Sequence, residues 1–426
     1  MILEPVLKQN KMPARLAADK TTGTDRTGKA GMAGKAGMTE NPDFLQNQLI
    51  TYIGNKRALL DFIGSALNQV QNRLGRRQLT CLDLFAGSGI VSRYLKQFSS
   101  AITVNDLEQY SAIINRCYLS NKSQVDFDQL QKLHSDLCKK IDRRMAALEK
   151  SAGGFKGAGF ISELYAPASE DNIEKGERCF YTPCNAAYLD VARQLIEKDV
   201  PPQLRDFFIA PLLSEASIHA NTAGIFKGFY KNSKTGTGQF GGNGRNALSR
   251  IRGKISLPFP VFSDFECKSR VFSSDANSLV LDESLYDKAF TNDGLFDLAY
   301  FDPPYNQHPY GSNYFMLNLL AEYKRPDAEN ISRVSGIPRN WNRSDYNKKR
   351  RVAEVFVELV RNVRARYVLV SFNSEGFIPK DEMIELLSSC GKVEVLEADY
   401  NAFRGSRNLS GREIHVKEFL FLVEKK

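Results

Sequence analysis

Apolar positions along residues 43–106 follow two periods in turn. In KRALLDFIGSALNQVQNRL, Leu59, Ile63, Leu67, Val70 and Leu74 recur at helical spacing, which predicts an amphipathic helix. TCLDLFAG then reads as a buried strand ending in glycines, SRYLKQF as a short helix, and AITVND as a second strand closed by Asp106. This is a strand–helix–strand opening. Residues 107–265 break the rhythm. Polar helices are predicted at about 127–150, 185–198 and 203–219, with a glycine-rich basic loop behind them. From residue 266 the strand pattern resumes in SRVFSSDA, LFDLAYFDPPY and RYVLVSFNSEG, and VEVLEADY with HVKEFLFLVEK reads as a closing hairpin. Neither flank supplies a full sheet alone. The pattern therefore predicts one α/β sheet, split by a mostly helical insertion.

Composition changes this picture at the edges. The chain has 426 residues, 42% apolar and 25% charged, enough to bury a core. No apolar run approaches the roughly 20 residues that cross a bilayer, and MILEPVLKQNK lacks the pattern of a secretory signal. Residues 1–42, with the near-repeat GKAGM, hold few large apolar side chains and are expected to form a disordered basic tail. The seven cysteines and four histidines show no paired metal-ligand spacing, so free thiols in a reducing, cytoplasmic setting are expected. The net charge of +9 favours a polyanionic partner.

Two segments carry chemistry. DLFAGSG (Asp83 to Gly89) ends a strand and opens a helix, and Gly87 and Gly89 allow a ligand to approach the backbone. Asp106, ending the next strand, is placed to accept hydrogen bonds from ribose hydroxyls. The loop is neither GxGxxG nor a phosphate loop, so it points to a nucleoside cofactor other than NAD or ATP. The second segment, Asp302-Pro303-Pro304-Tyr305, follows the apolar LAYF. Its paired prolines force a rigid extended turn that leaves a carboxylate, backbone carbonyls and an aromatic ring at the sheet edge. Such acceptors suit an amino group, and such a ring suits stacking on a base.

Together, DLFAGSG, Asp106 and DPPY resemble the S-adenosylmethionine-dependent methyltransferases that modify exocyclic amines of nucleic-acid bases. Tyr52-Ile53-Gly54-Asn55-Lys56-Arg57 resembles the N-terminal motif of the Dam-like class of adenine-specific DNA methyltransferases, with Gly-Asn-Lys in place of Gly-Gly-Lys. The motif order also matches that class, whose large insertion is the target-recognition region. SNYFMLN and VSFNSEG are similar in style to restriction-modification methylases. The resemblance implies a seven-strand, mostly parallel Rossmann-like methyltransferase sheet. Its parts would be a catalytic region at 43–106, an inserted DNA-binding region at 107–265 and a second catalytic part at 266–426.

Carried over by position, the resemblance implies that Tyr52, Lys56, Asp83, Phe85, Gly87, Gly89 and Asp106 bind S-adenosylmethionine. Asp302 and the Pro303 carbonyl would accept the hydrogens of an adenine amine, and Tyr305 would stack on a base flipped from duplex DNA. This chemistry needs orientation and electrostatics, without a metal or a covalent intermediate. A cytosine-C5 enzyme would need a Pro-Cys nucleophile, and Pro183-Cys184 lies in the insertion, away from the strand ends. DPPY also leaves RNA adenine and DNA cytosine-N4 as alternative targets, and a DNA-binding protein without catalysis as a third reading. Lys227, Lys231, Lys234, Arg245, Arg250, Arg252 and Lys254, with no acid among them, are expected to contact DNA phosphates. A second basic run from Arg333 to Arg351 would flank the DNA, and Trp341 is read as a core residue. A cognate restriction endonuclease would act separately.

Overall fold

The computed structural model describes residues 39–242, 247–401 and 415–426. The predicted tail lies outside the described residues as far as residue 38. Residues 39–42 are anchored: the Glu40 carboxylate accepts from Ser263 Oγ (2.6 Å) and from the Asp264 amide (2.8 Å).

Seven strands form one sheet in the order β3-β2-β1-β4-β5-β7-β6. They are β1 (Leu79–Asp83), β2 (Ser99–Asn105), β3 (Lys268–Phe272), β4 (Phe296–Phe301), β5 (Ala365–Asn373), β6 (Gly391–Asn401) and β7 (His415–Lys425). All neighbours are parallel except β7, which runs antiparallel to both β5 and β6. Every residue of β1 and β4 is buried, as continuous apolar runs covered on both faces require. Asp297 is the polar exception inside β4. Its carboxylate accepts from the Thr80 amide (2.9 Å) and from Asn292 Nδ2 (2.7 Å), and pairs with Arg76, locking β4 beside β1.

The helices follow from the same periodicity. Helix α1 (Leu60–Leu74) turns Ile63, Leu67 and Val70 onto the sheet, each worth about 1.5–3 kcal/mol on burial. Gly75 ends it in the left-handed conformation (φ 61°). Helix α2 (Ile90–Lys96) connects β1 to β2, and α3 (Gln109–Leu119) begins the connection from β2 to β3 and packs against β3. Although α3 falls within 107–265, it belongs to the sheet's own wrapping. The chain leaves the sheet's rhythm only after it and returns at β3. Between them lie α4 (Phe127–Glu149), α5 (Pro183–Asp199) and α6 (Asp206–Ile218).

These helices share a core with α3 and with α7 (Phe315–Glu322), which follows DPPY. Tyr110, Ile114, Phe180, Phe208, Phe226, Phe315 and Met316 belong to one cluster. The insertion is thereby welded to the strand-end region that carries DPPY. The opposite sheet face is covered by α8 (Val352–Asn362) and α9 (Lys380–Ser388). Among the described residues no helix is long and apolar enough to cross a membrane. All seven cysteines are unpaired.

Candidate active site at the ends of β1 and β4

The strand order reverses between β1 and β4, and a doubly wound sheet opens a ligand crevice there. The first wall is the glycine loop. Gly87 has φ 53° and donates its amide to Asp106 Oδ2 (2.7 Å), while the Glu108 amide donates to Oδ1 (2.9 Å). Asp106 thus ties the end of β2 to the loop after β1. Its pKa is raised, because burial outweighs these backbone hydrogen bonds. A Cβ on Gly87 would stand 2.7 Å from the Tyr52 ring. Gly89 (φ 74°) faces Asn115 instead, whose Oδ1 a Cβ would meet at 2.7 Å. Gly89 therefore serves the packing of α2 on α3 and does not line the cleft. Beneath the loop, the fully buried Asp83 accepts from Ser92 Oγ (2.6 Å), and burial pushes its carboxyl up to about 7.

The second wall follows β4. The Asp302 side chain is 19% exposed, and its Oδ1 makes no hydrogen bond of good geometry among the described residues. Lys56 Nζ lies 3.3 Å from that oxygen as an ion pair, and 2.7 Å from Glu418 Oε1 on β7. Burial pushes the Asp302 carboxyl up to about 7, with Lys56 opposing the shift. Burial alone would lower the Lys56 pKa, but Asp302 and Glu418 outweigh it and raise it well above its ordinary value. Pro303 is buried. The Tyr305 ring, 8% exposed, packs edge-on against Phe372 (5.5 Å between centroids), with Lys56 Nζ 5.5 Å from its centre.

The cleft between the walls measures about 870 Å³, counted out to its open mouth. Tyr52, Lys56, Asp83, Phe85, Gly87, Asp106 and Asp302 line it together, drawn from residues far apart in sequence. Pro303 and Tyr305 stand just behind its surface. The Tyr52 ring stacks on Tyr310 (5.0 Å) and Tyr314 (4.9 Å), and Tyr346 meets the edge of Phe85 (5.1 Å).

Among the lining residues that escaped the sequence reading are Glu108, Asp275, Asn342 and Tyr346. Asp275 carried a legible signal, an acid just past β3 as Asp106 is just past β2. Glu108 is held by Asn318 and by Asn342 Nδ2 (3.2 Å), and burial pushes its carboxyl up to about 7.

The basic runs fold into two matching hairpins. In one, Lys231 bridges Gly238, the Asn232 amide donates to the Thr237 carbonyl (2.9 Å), and the Gly236 amide donates to the Asn232 carbonyl (2.9 Å). In the other, Ile331 bridges Pro338, with Ser332 to Ile337 at 2.9 Å and Gly336 to Ser332 at 2.8 Å. Gly236 and Gly336 both have φ 71°. The hairpins sit side by side. Arg178 donates to the Ser332 and Arg333 carbonyls (3.2 Å each), and the next residue, Cys179, abuts Gly238.

Lys227, Lys231, Lys234, Arg252 and Lys254 are exposed, and Arg252 pairs with Glu170 (3.4 Å). Arg245 lies outside the described residues. Arg250 is engaged elsewhere: it donates to the carbonyls of Ile218, Ala220 (2.9 Å) and Thr222 (3.3 Å), fastening the loop to the end of α6. The reading of Trp341 as a core residue is corrected. It is half-buried, lines a second hollow beside the cleft, and carries the Arg343 guanidinium 4.5 Å from its ring centre.

The D12 class N6 adenine-specific DNA methyltransferase family matches residues 52–145 and 253–385, together more than half of the chain. The chain belongs to this family. The methyltransferase is 28% identical over 383 residues to the type II methyltransferase M.NlaIII of Neisseria lactamica, covering 88% of this chain and 99% of that one. It is 29% identical over 385 residues to the type II methyltransferase M.CviAII of Paramecium bursaria Chlorella virus 1, covering 88% and 98%. It is 24% identical over 385 residues to the modification methylase StsI of Streptococcus sanguinis, of which it covers 52%. The family decides for adenine in DNA over the RNA and cytosine-N4 alternatives, and for an enzyme over a binding protein. The matched segments contain the Tyr52–Arg57 motif, the glycine loop, Asp106 and DPPY. They leave out the whole of the first hairpin and both β6 and β7.

Proposed function

We propose that the methyltransferase binds S-adenosylmethionine in this cleft and methylates the N6 amine of an adenine flipped out of duplex DNA at a specific site. The observation that carries the reading is the Asp302 carboxylate, which lines the cleft opposite the glycine loop and is charge-balanced from behind by Lys56 at Oδ1. A carboxylate so placed can accept hydrogen bonds from a donor that enters the cleft.

The cleft suits the cofactor. Gly87 leaves room where any side chain would strike Tyr52, and Asp106 and Asp275 offer acceptors for hydroxyl or amino groups. Tyr52, Lys56, Asp83, Phe85, Gly87 and Asp106 would form the binding wall, with Gly89 supporting it from behind. When bound, S-adenosylmethionine supplies an electrophilic methyl group on a positively charged sulfur. The rest falls to the chain. Asp302 accepts one amine hydrogen and the Pro303 carbonyl the other, which directs the nitrogen lone pair out of the ring plane. The proton released as the amine is methylated passes to Asp302 and then to solvent. Tyr305, braced by Phe372, would stack on the extruded base.

For DNA contact, the hairpins with Lys231, Lys234, Arg333 and Arg339 supply exposed cations, and Lys227, Arg252 and Lys254 are exposed as well. The target-recognition region, read from sequence as 107–265, would begin after α3. The type II methyltransferase and modification methylase relatives support a modification role, and the proposal extends to a separately acting endonuclease and a cytoplasmic location.

The test is transfer of labelled methyl groups from S-adenosylmethionine to duplex DNA, followed by nucleoside digestion. The expected product is N6-methyladenine, and Asp302→Ala abolishes it while retaining cofactor and DNA binding. Undiminished transfer by Asp302→Ala overturns the assignment.

A further inference from the structure

The closing strand β7 sends a carboxylate back into the active site. Glu418 pairs in register with Asn373 of β5, and its side chain is 3% exposed. Its Oε1 accepts from Lys56 Nζ (2.7 Å) and from Ser371 Oγ (2.9 Å). Lys56, also 3% exposed, is the cation nearest Asp302, yet it stands 3.3 Å from Asp302 Oδ1 and gives its short hydrogen bond to Glu418. An isolated Lys–Asp pair in this pocket would close into a charge-assisted hydrogen bond and weaken the carboxylate as the acceptor that the target amine needs.

We propose that Glu418 is a positioning residue for methyl transfer: anchored by Ser371, it holds the Lys56 ammonium back from Asp302 Oδ1 and so preserves the strength of the Asp302 carboxylate as acceptor for the adenine amine on its cleft side. This rests on Asp302 being the amine acceptor, as proposed above. Glu418 lies outside both segments matched by the family, so the family match does not assign it. The groups facing Asp302 are Lys56 from the N-terminal segment, Glu418 from β7, Asp83 from β1, Tyr300 from β4, and Tyr305 and Tyr310 beyond DPPY. Of these, only Lys56 is cationic. It is the one group whose movement could occupy the carboxylate.

The experiment is Glu418→Gln in the full chain, with single-turnover methylation of duplex DNA measured against pH. Removing the anionic anchor lets Lys56 close onto Asp302. The single-turnover rate is expected to fall roughly ten- to a hundredfold, the scale of one charge-assisted hydrogen bond. S-adenosylmethionine and DNA dissociation constants stay within about twofold, since the change lies outside uniform binding. The acid limb of the rate moves to lower pH, because a closer Lys56 and a missing neighbouring carboxylate both favour ionised Asp302. Ser371→Ala, which loosens the same anchor, shifts rate and acid limb in the same direction by less. It also decides the matter if Glu418→Gln does not fold. A variant that melts earlier but keeps the wild-type rate and acid limb would show Glu418 to be a buried counter-ion only and overturn the proposal. So would a loss confined to cofactor affinity. Asp302→Ala, run alongside, separates this failure from failure of the acceptor assignment: full activity in that variant would remove the premise, whatever Glu418 does.

Discussion

Gly87→Ala isolates the shape of the cofactor wall. Two penalties combine at this position. The first is backbone strain: alanine at φ 53° sits in the left-handed region, at about 1–2 kcal/mol. The second is steric, since the new Cβ would lie 2.7–2.9 Å from Cε1, Cζ and Oη of Tyr52. That ring cannot yield freely, because it packs against both Tyr310 and Tyr314. Displacing it forfeits two aromatic contacts at about 0.5–1.5 kcal/mol each. Gly75→Ala is the matched control. Gly75 has φ 61°, but a Cβ there meets nothing within 4 Å. Both variants carry the strain and only Gly87→Ala moves the cleft wall. Titration calorimetry with S-adenosylmethionine is expected to show an affinity loss of roughly 10- to 100-fold for Gly87→Ala, from about 1–3 kcal/mol. Gly75→Ala should bind as wild type and lose only thermal stability. Equal cofactor affinity in the two variants would refute the placement of the cofactor against the Gly87–Tyr52 wall.

Other perturbations separate roles that composition alone merges. Lys234→Ala should weaken DNA binding and reduce the dependence of log affinity on log salt by about one unit. Arg250→Ala should instead lower the melting temperature, because three backbone carbonyls lose their donor, and leave the salt slope unchanged. Asp83 tests pH linkage. Its folded pKa of about 7 lies above an unfolded value near 3.9, so the folded state keeps a proton that the unfolded chain releases. That contribution to stability is complete below about pH 4 and is lost as pH rises through about 7. Asp83→Asn should therefore melt with a flatter pH dependence than wild type between about pH 4 and 7, and parallel melting curves would contradict the buried, proton-holding carboxyl. Arg193, 2% exposed, donates to the Leu320 (2.6 Å) and Ala321 (3.4 Å) carbonyls at the end of α7. Arg193→Ala should cost about 3 kcal/mol in denaturant unfolding, and a loss below about 1 kcal/mol would show that water replaces it readily.

The sheet was legible because its strands are short apolar runs, and each predicted strand corresponds to an observed one. The motifs were legible for a related reason. Glycine and proline impose backbone shapes that survive any context, so the turns at Gly87 and Pro303 announced themselves. Less legible were residues whose placement depends on strand order. Asp275 joins the cleft only because β3 lies beyond β2, and Asn342 and Tyr346 reach it from a basic stretch that reads as surface. Charge runs also conceal their exceptions. Nothing in the spacing of Arg250 distinguishes it from Arg252, yet one clasps carbonyls and the other faces solvent beside Glu170. Trp341 was expected in the core, but the Arg343 guanidinium covers its ring at the surface. Glu418 is a buried charged residue directly before the apolar run Phe419–Val423 of β7, a local inconsistency of the kind functional sites produce.

The most direct measurement is made on a genome. The wild-type protein and Asp302→Ala would each be expressed in a host without adenine methylation, and modified bases mapped by single-molecule sequencing. The expected result is N6-methyladenine at one short sequence motif with the wild type, and an unmodified genome with Asp302→Ala at equal protein level and intact cofactor binding. Methylation by both proteins, or modification of a base other than adenine, would contradict the account of Asp302 as the acceptor that prepares an adenine amine.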